Sequence, residues 1–516
     1  MAAGVLAAAG ALVAGIALAL STGPYFDVDT YKYLAAADAV VRGHPLPPLY
    51  RTLAATGGAL HAVPGYGYFL AACWKLAGEV SLTIPLLLQC LIATGGAVAA
   101  GYLLAPNFGP WAVPVVTLAV AAAPPRLWSN LLVMPDALTA PLWFLLAAGI
   151  RAGTRRKAGT WMATALGLGA GCMAGAMILM RTSSQALLPA LVAVALAERP
   201  RPRRLCVWGC GCALGLAAVL APWALSNKEH HGYLVVSAST GRNLLLNALW
   251  AGTIERSKEL AKLGVVRRPD FSSAYLIVDR RFAREVRRTR SIPAADRALQ
   301  RYVIDAYRKA GWRRVAADRL RIAEGLFDPR SKAGSWLGGL DRLRAAGWAN
   351  PRLSSRLLEQ LGRRFGHRFS SEVTSAVRRA ERRGARIPRW FDAWSRAATL
   401  ENLPLLGSFL VALTWLGVRR RIDAVTASAV LLPLACLWAT VALFRHPPVP
   451  LSDPAPAFYG FLARGGRSGL RTLPCGPPPL RAISLATTAG APARAAARPR
   501  AACWSDRTLL AGLPPV

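Results

Sequence analysis

The sequence predicts an all-α, polytopic helical membrane protein with a mostly helical domain on its outer face. Three observations carry that expectation. Hydrophobic residues make up 54% of the 516-residue chain, and only 17% are charged. The apolar residues gather in long runs almost free of charge, as a helix immersed in hydrocarbon requires. The arginines fall between those runs, where they meet water and headgroups. A formal net charge of +37 would point to nucleic acid in a soluble protein. Here no recognition motif accompanies it, and arginine-rich loops against anionic lipid account for the charge, so no nucleic-acid partner is expected.

About nine spans are visible. The first run, residues 5–20, reads as an uncleaved helix, because a signal peptide would carry a basic n-region. Further runs cover 82–104, 110–123, 136–150, 161–180, 184–196 and 206–225. After a long polar interval come 403–418 and 425–444. This divides the chain into a membrane module (1–225) whose first outer loop is 22–80, an outer-face domain (226–402), a C-terminal membrane hairpin (403–445) and a low-complexity tail (446–516). The tail is rich in Pro, Arg, Ala and Gly without periodicity, Pro477-Pro478-Pro479 among them. It is expected to be disordered, or a translated frameshift.

Orientation follows from the short basic connections at 151–157, 199–204 and 419–421, which the positive-inside rule places in the cytoplasm. Counting outward from them puts Asp27, Asp29, the 124–136 loop, Arg181 and all of 226–402 on the outer face of the cytoplasmic membrane. Within the spans, Gly167, Gly171 and Gly175 recur every four residues and predict a close helix–helix contact. Cys206, Cys210 and Cys212 lie in an apolar run, where buried thiols act as small hydrophobes rather than metal ligands; the nine cysteines show no disulfide framework. In the outer interval, 297–327 reads as amphipathic helix with Leu299, Val303, Tyr307, Val315, Leu320 and Ile322 on its apolar side, and 352–383 repeats that character. A domain of this kind is expected to lie against the membrane surface.

The chemistry-bearing residues sit at the mouths of spans. An ionisable group kept at a membrane boundary is costly and marks a functional candidate. Asp27 and Asp29 follow the first run directly. Asp29-Thr30 is placed to cap a helix over 31–41 that ends at Gly43, with Tyr33, Leu34, Ala37 and Val40 on one face. A second acid is more than a cap requires. Two carboxylates suit a general base and a cation ligand where a phosphate departs. Asp136, after Pro135, sits where a helix N-terminus favours an anion. Arg126 and Arg181 lie at the same level and have the geometry to bind a lipid phosphate, or to snorkel to headgroups. The cofactor, if any, is a divalent metal ion, with Asp27 and His61 as candidate ligands and His44 in the same loop.

The order of the motifs resembles a known family. Asp29-Thr30-Tyr31-Lys32-Tyr33-Leu34-Ala35 followed by Gly43 resembles the Asp-Ser/Thr-x-x-Tyr-Leu-x-Leu-Ala…Gly opening of bacterial membrane glycosyltransferases. Pro64-Gly65-Tyr66 with Phe69-Leu70-Ala71 resembles their Pro-Gly-Tyr-Pro-x-Phe-Leu-Ala element, with Gly67 where the second Pro stands. Met180-Arg181-Thr182 with Pro189 is similar to their Thr-Arg-Pro…Pro segment. Pro222-Trp223, Gly232-Tyr233 and Gly241-Arg242-Asn243-Leu244 are similar to their Pro-Trp…Arg-Asn…Gly…Gly-x-Asn-Leu region. These are GT-C enzymes of the family-39-like group, which includes protein O-mannosyltransferases and the aminoarabinose transferase of lipid A. The resemblance covers about residues 1–250. Toward the C-terminus, Phe444-Arg445-His446-Pro447-Pro448 only echoes the group's Arg-Tyr…Pro…Pro element, and its final spans are not found.

The resemblance implies an inverting transfer of a sugar from a polyprenyl-phosphate donor to a lipid, glycan or protein acceptor at the outer leaflet. Asp29 would be the base, Asp136 the acid of the second outer loop, and Arg126 and Arg181 the partners of the donor phosphate. A polyprenyl phosphate leaves readily once its charge is neutralised, and no nucleotide is used, so no phosphate-cradling glycine loop is needed. The alternatives are a membrane transporter or lipid flippase, a scaffold without catalysis, and an inactive truncated copy.

Overall fold

The structure, a computed structural model, describes residues 2–26, 29–44, 46, 63–154, 159–197, 202–264, 271–318, 354–383 and 387–396. The expected hairpin at 403–445, the tail, Asp27 and His61 lie outside the described residues. Among the described residues every named element is helical, and the strand-like feature is an isolated bridge between Tyr25 and Leu132. The fold is an all-α, polytopic membrane protein.

The first ten helices build the bundle. They are α1 (Ala2–Thr22), α2 (Thr30–Val41), α3 (Gly65–Ala77), α4 (Thr83–Phe108), α5 (Ala112–Ala121), α6 (Pro124–Ser129), α7 (Asp136–Thr154), α8 (Thr160–Met180), α9 (Leu188–Ala197) and α10 (Pro202–His231). Of these, α1, α4, α8 and α10 are long and apolar enough to cross a bilayer. The ten-residue helices α5 and α9 rise only about 15 Å, half the hydrocarbon thickness. The run expected as a span over 184–196 is instead a 3₁₀ segment, Thr182–Leu187, leading into α9. Pro189 falls in the first turn of α9, where its missing N–H has no partner to lose.

The glycine face of α8 packs as expected. A Cβ on Gly167 or Gly171 would run into the backbone of Trp208 or Cys212 on α10, and one on Gly175 would come within 2.9 Å of Val219. Gly211 and Gly215 of α10 return the contact against Thr164 and Leu168. Lipid offers no hydrophobic drive between helices, so this backbone-close van der Waals contact is what joins them. Gly96 of α4 packs on Pro141 of α7 in the same way. Cys206 and Cys210 lie on the outward surface of the apolar helix α10, and Cys212 is partly packed. Their four-residue spacing puts the first two on one face, turned away from α8.

The polar interval carries α11 (Thr240–Ala251), α12 (Arg256–Lys262), α13 (Phe271–Thr289), α14 (Ile292–Ala310), α15 (Ser355–Phe365) and α16 (Ser371–Arg383), with further helical stretches at 312–318 and 389–396. It packs in two parts. Leu245, Leu249, Ile277, Phe282, Leu299 and Val303 close one core among α11–α14. Leu358, Leu361, Val373, Val377 and Phe391 instead join the cluster of Leu34, Tyr66, Leu70, Leu86 and Leu127 in the bundle. The amphipathic helix expected over 297–327 begins earlier, at Ile292, and stops at Gly311, whose φ of +80° a side chain would resist. Leu320 and Ile322 lie outside the described residues.

Candidate functional site

Four segments from distant parts of the chain meet at one end of the bundle. After α1 the chain runs extended through Tyr25, whose N–H donates to Leu131 O (2.8 Å) and whose carbonyl accepts from Val133 N–H (3.2 Å). At the first residue of α2 the link repeats, as Thr30 Oγ1 donates to Val133 O at 3.3 Å. Val133 is three residues from Asp136, so their Cα atoms are at most about 11 Å apart. The fourth segment enters through Gly65. A Cβ there would lie 2.5 Å from the Leu179 carbonyl carbon, so the start of α3 rests directly on the end of α8, just before Arg181.

Below these loops lies a polar rung. Tyr66 Oη donates to Gln89 Oε1 at 2.5 Å, and Gln89 Nε2 donates to the carbonyls of Asn130 (2.7 Å) and Leu132 (3.0 Å). Gln89 and Tyr66 are fully buried. An amide in such a place is tolerated because its polar atoms find partners. The rung fixes the 130–133 turn, and so the entry to α7, against α3 and α4.

Of the candidate residues, Asp136 and Arg181 are brought into an ion pair between the start of α7 and the end of α8. The side chains remain 42% and 49% exposed, so a ligand can reach both. Arg126 lies behind them and donates from Nη2 to the carbonyl of Ala137, which braces the first turn of α7. Burial pulls the Arg126 pKa down to about 10, partly offset by the Cys90 thiol, and leaves it a cation at neutral pH. Asp29 immediately precedes α2, but its side chain makes no capping bond. It pairs with Lys32 at 2.7 Å, one turn on, and is 48% exposed. Thr30, the other expected capping residue, is spent on Val133. The cap alternative for Asp29 therefore has no side-chain bond behind it, and the half-exposed carboxylate pairs with Lys32 one residue before the Thr30–Val133 link.

Gly67, the departure from the Pro-Gly-Tyr-Pro pattern, has a local reason. A Cβ there would come within 2.5 Å of Ala36 Cβ, so glycine lets α2 and α3 lie in contact. Tyr33 and Tyr66 meet edge-on across that contact, at 5.1 Å. The Pro222-Trp223 and Gly241-Arg242 motifs do structural work: Trp223 Nε1 donates to Val236 O (2.9 Å), the Asp296 backbone lies so close to position 241 that only glycine fits, and Arg242 pairs with Asp279 (2.5 Å). Among the described residues no three His, Cys, Asp or Glu side chains gather into a metal group. His44 is exposed just past α2.

One buried acid escaped the sequence reading. Asp38, on α2, has a side chain only 3% exposed. Its Oδ2 accepts from Arg42 (2.8 Å), from His367 Nε2 (3.1 Å) and from the Ser370 N–H (3.0 Å). Burial alone would raise its pKa, but the bonds from His367 and Ser370 and the Arg42 charge together hold it below the ordinary carboxylate value. An acid four residues before an arginine on a helix is readable as a pair. The partners from 367–370 are not.

These observations define the class: an all-α membrane protein whose acids and arginines converge at one end of its helices. Among solved structures, the chain is similar to the crystal structure of ArnT from Cupriavidus metallidurans in the apo state, at 17% identity over 86% of this chain and 76% of that one, with a TM-score of 0.36. A likeness of that strength bears on no residue's role. No protein-family model and no curated protein matches the chain.

Proposed function

We propose that the protein is a GT-C-type membrane glycosyltransferase that moves a sugar from a polyprenyl-phosphate carrier to an acceptor at the outer face of the cytoplasmic membrane. The observation that carries this reading is the exposed Asp136–Arg181 pair at the entrance to α7, together with the Thr30–Val133 bond that ties the turn before it to the start of α2, which Asp29 precedes. The order of the glycosyltransferase-like motifs supports it in part: Asp29-Thr30, Pro64-Gly65-Tyr66 and Met180-Arg181 lie in the segments that meet there, whereas Pro222-Trp223 and Gly241-Arg242 pack elsewhere.

In this reading Arg181 receives the donor phosphate, whose planar, bidentate recognition suits a guanidinium. Arg126 braces the α7 entrance and adds a positive charge behind the site. The acceptor hydroxyl or amine gives its proton to Asp29 as its oxygen or nitrogen bonds to the anomeric carbon. The bond from that carbon to the phosphate oxygen breaks, and the electron pair leaves with the polyprenyl phosphate. Attack opposite the leaving group inverts the anomeric centre. Asp136, released from Arg181, orients the acceptor.

The test is transfer of labelled sugar from the lipid-linked pool in membranes carrying Asp29→Asn. Transfer should fall by at least about a hundredfold, the usual contribution of a positioned base, with protein abundance unchanged. Retained transfer would refute the role of Asp29.

A further inference from the structure

We infer that residues 354–383 and 387–396 form a strap that holds α2 in place, and that Asp38 is the positioning residue that fastens it. The inference adds a structural partner to the site proposed above and rests on that reading only where Asp29 is concerned.

The strap touches the bundle at several separate points. Arg42 Nη2 donates to Arg368 O (3.0 Å), and Arg379 Nη2 to Val80 O (3.5 Å). Trp394 Nε1 donates to Ala122 O (2.8 Å), and Phe391 stacks on Trp128 at 6.2 Å. Leu358, Leu361, Val373 and Val377 are buried in the same cluster as Leu34 and Leu70. Most of these are apolar or peripheral contacts. The Asp38 bonds differ, because they join a buried carboxylate to both the side chain of His367 and the backbone of Ser370. Arg42, which caps the end of α2, completes the set of charged groups bonded to it.

Helix α2 is therefore tied at both ends. Thr30 holds its first turn to Val133, and Asp38 holds its last turn to the strap. Between Asp29 and Asp38 lie about 14 Å of helix. A helix this short moves as a rod, so a loosened far end reaches the turn that carries Asp29. A base misplaced by about 1 Å loses a large share of its effect.

Hydrogen exchange on the full-length protein in nanodiscs decides the point. In Asp38→Ala, protection at 367–379 should fall about tenfold or more, and protection at 29–34 should fall with it, while 245–303 keeps its own. Asp38→Asn, which retains an acceptor for the Ser370 N–H, should restore most of the protection. His367→Gln, a milder change on the strap side, should loosen both segments in the same order and guards against a folding failure in Asp38→Ala. In the transfer assay, Asp38→Ala should lower the rate at saturating donor about tenfold and leave half-saturation nearly unchanged. The inference is overturned if protection at 367–379 holds, or if it falls while 29–34 and the transfer rate stay as in the parent protein. Retained transfer in Asp29→Asn would remove the catalytic reading alone, because the exchange result would still decide the strap.

Discussion

Replacing Asp136 with asparagine separates two roles the carboxylate holds in this structure. It pairs with Arg181, and it stands at the start of α7 where the proposed acceptor arrives. Both members of the pair are nearly half exposed. Solvent therefore screens them, and the pair contributes about 0.2–1 kcal/mol, the range of exposed ion pairs. Asp136→Asn should lower the melting temperature by no more than about 2 °C. The same small energy has the opposite sign for the donor. A phosphate must displace Asp136 to reach Arg181, so removing the competing charge should tighten binding by up to about fivefold, the equivalent of 1 kcal/mol. Binding of undecaprenyl phosphate to the purified variant, read by native mass spectrometry, measures this directly, and Arg181→Gln should weaken it. Transfer by Asp136→Asn should nevertheless fall. Weaker binding of undecaprenyl phosphate to Asp136→Asn would refute the exchange, since it would make the carboxylate a contact of the donor and not its competitor.

Two further outcomes follow from the packing and the buried acid. Gly171→Val should drive α8 and α10 apart and destabilise the protein by about 1–3 kcal/mol or more, whereas Gly169→Val, which has open space around its Cβ position, should be close to neutral; thermal unfolding in detergent compares them. Because the folded pKa of Asp38 is depressed, the stability it supplies is present above the unfolded carboxylate value and is lost as pH falls through the folded value. Exchange protection at 367–379 should accordingly drop in acid below about pH 4, and this acid step should be missing in Asp38→Asn.

Much of the bundle was legible because it depends on short-range rules. The 31–41 helix, its buried Leu34 and Ala37 and its stop at Gly43 follow from periodicity and a left-handed glycine. The glycine face of α8 follows from a four-residue spacing. Asp136 and Arg181 were legible as two charges at one level, and the structure adds that they touch. What the sequence withheld is pairing at long range. His367 meets Asp38 across 329 positions, and no local pattern names that partner. The repeat of amphipathic character over 352–383 was visible, but an apolar helix face does not say which core it joins. Arg126 was legible as a cation and not as a brace, since its target is a backbone carbonyl, which every residue offers.

Gln89 carries a consequence for how the chain is made. Its amide lies inside a long apolar helix, yet the carbonyls that satisfy its nitrogen belong to Asn130 and Leu132, some forty positions later. While the ribosome is still producing α5, that side chain waits in oil with an unmet donor, a penalty of about 1–3 kcal/mol. The helix around it can settle fully only when the next turn arrives. Residues 83–133 thus complete their internal hydrogen bonding only together, once the turn that carries Asn130 and Leu132 has been made.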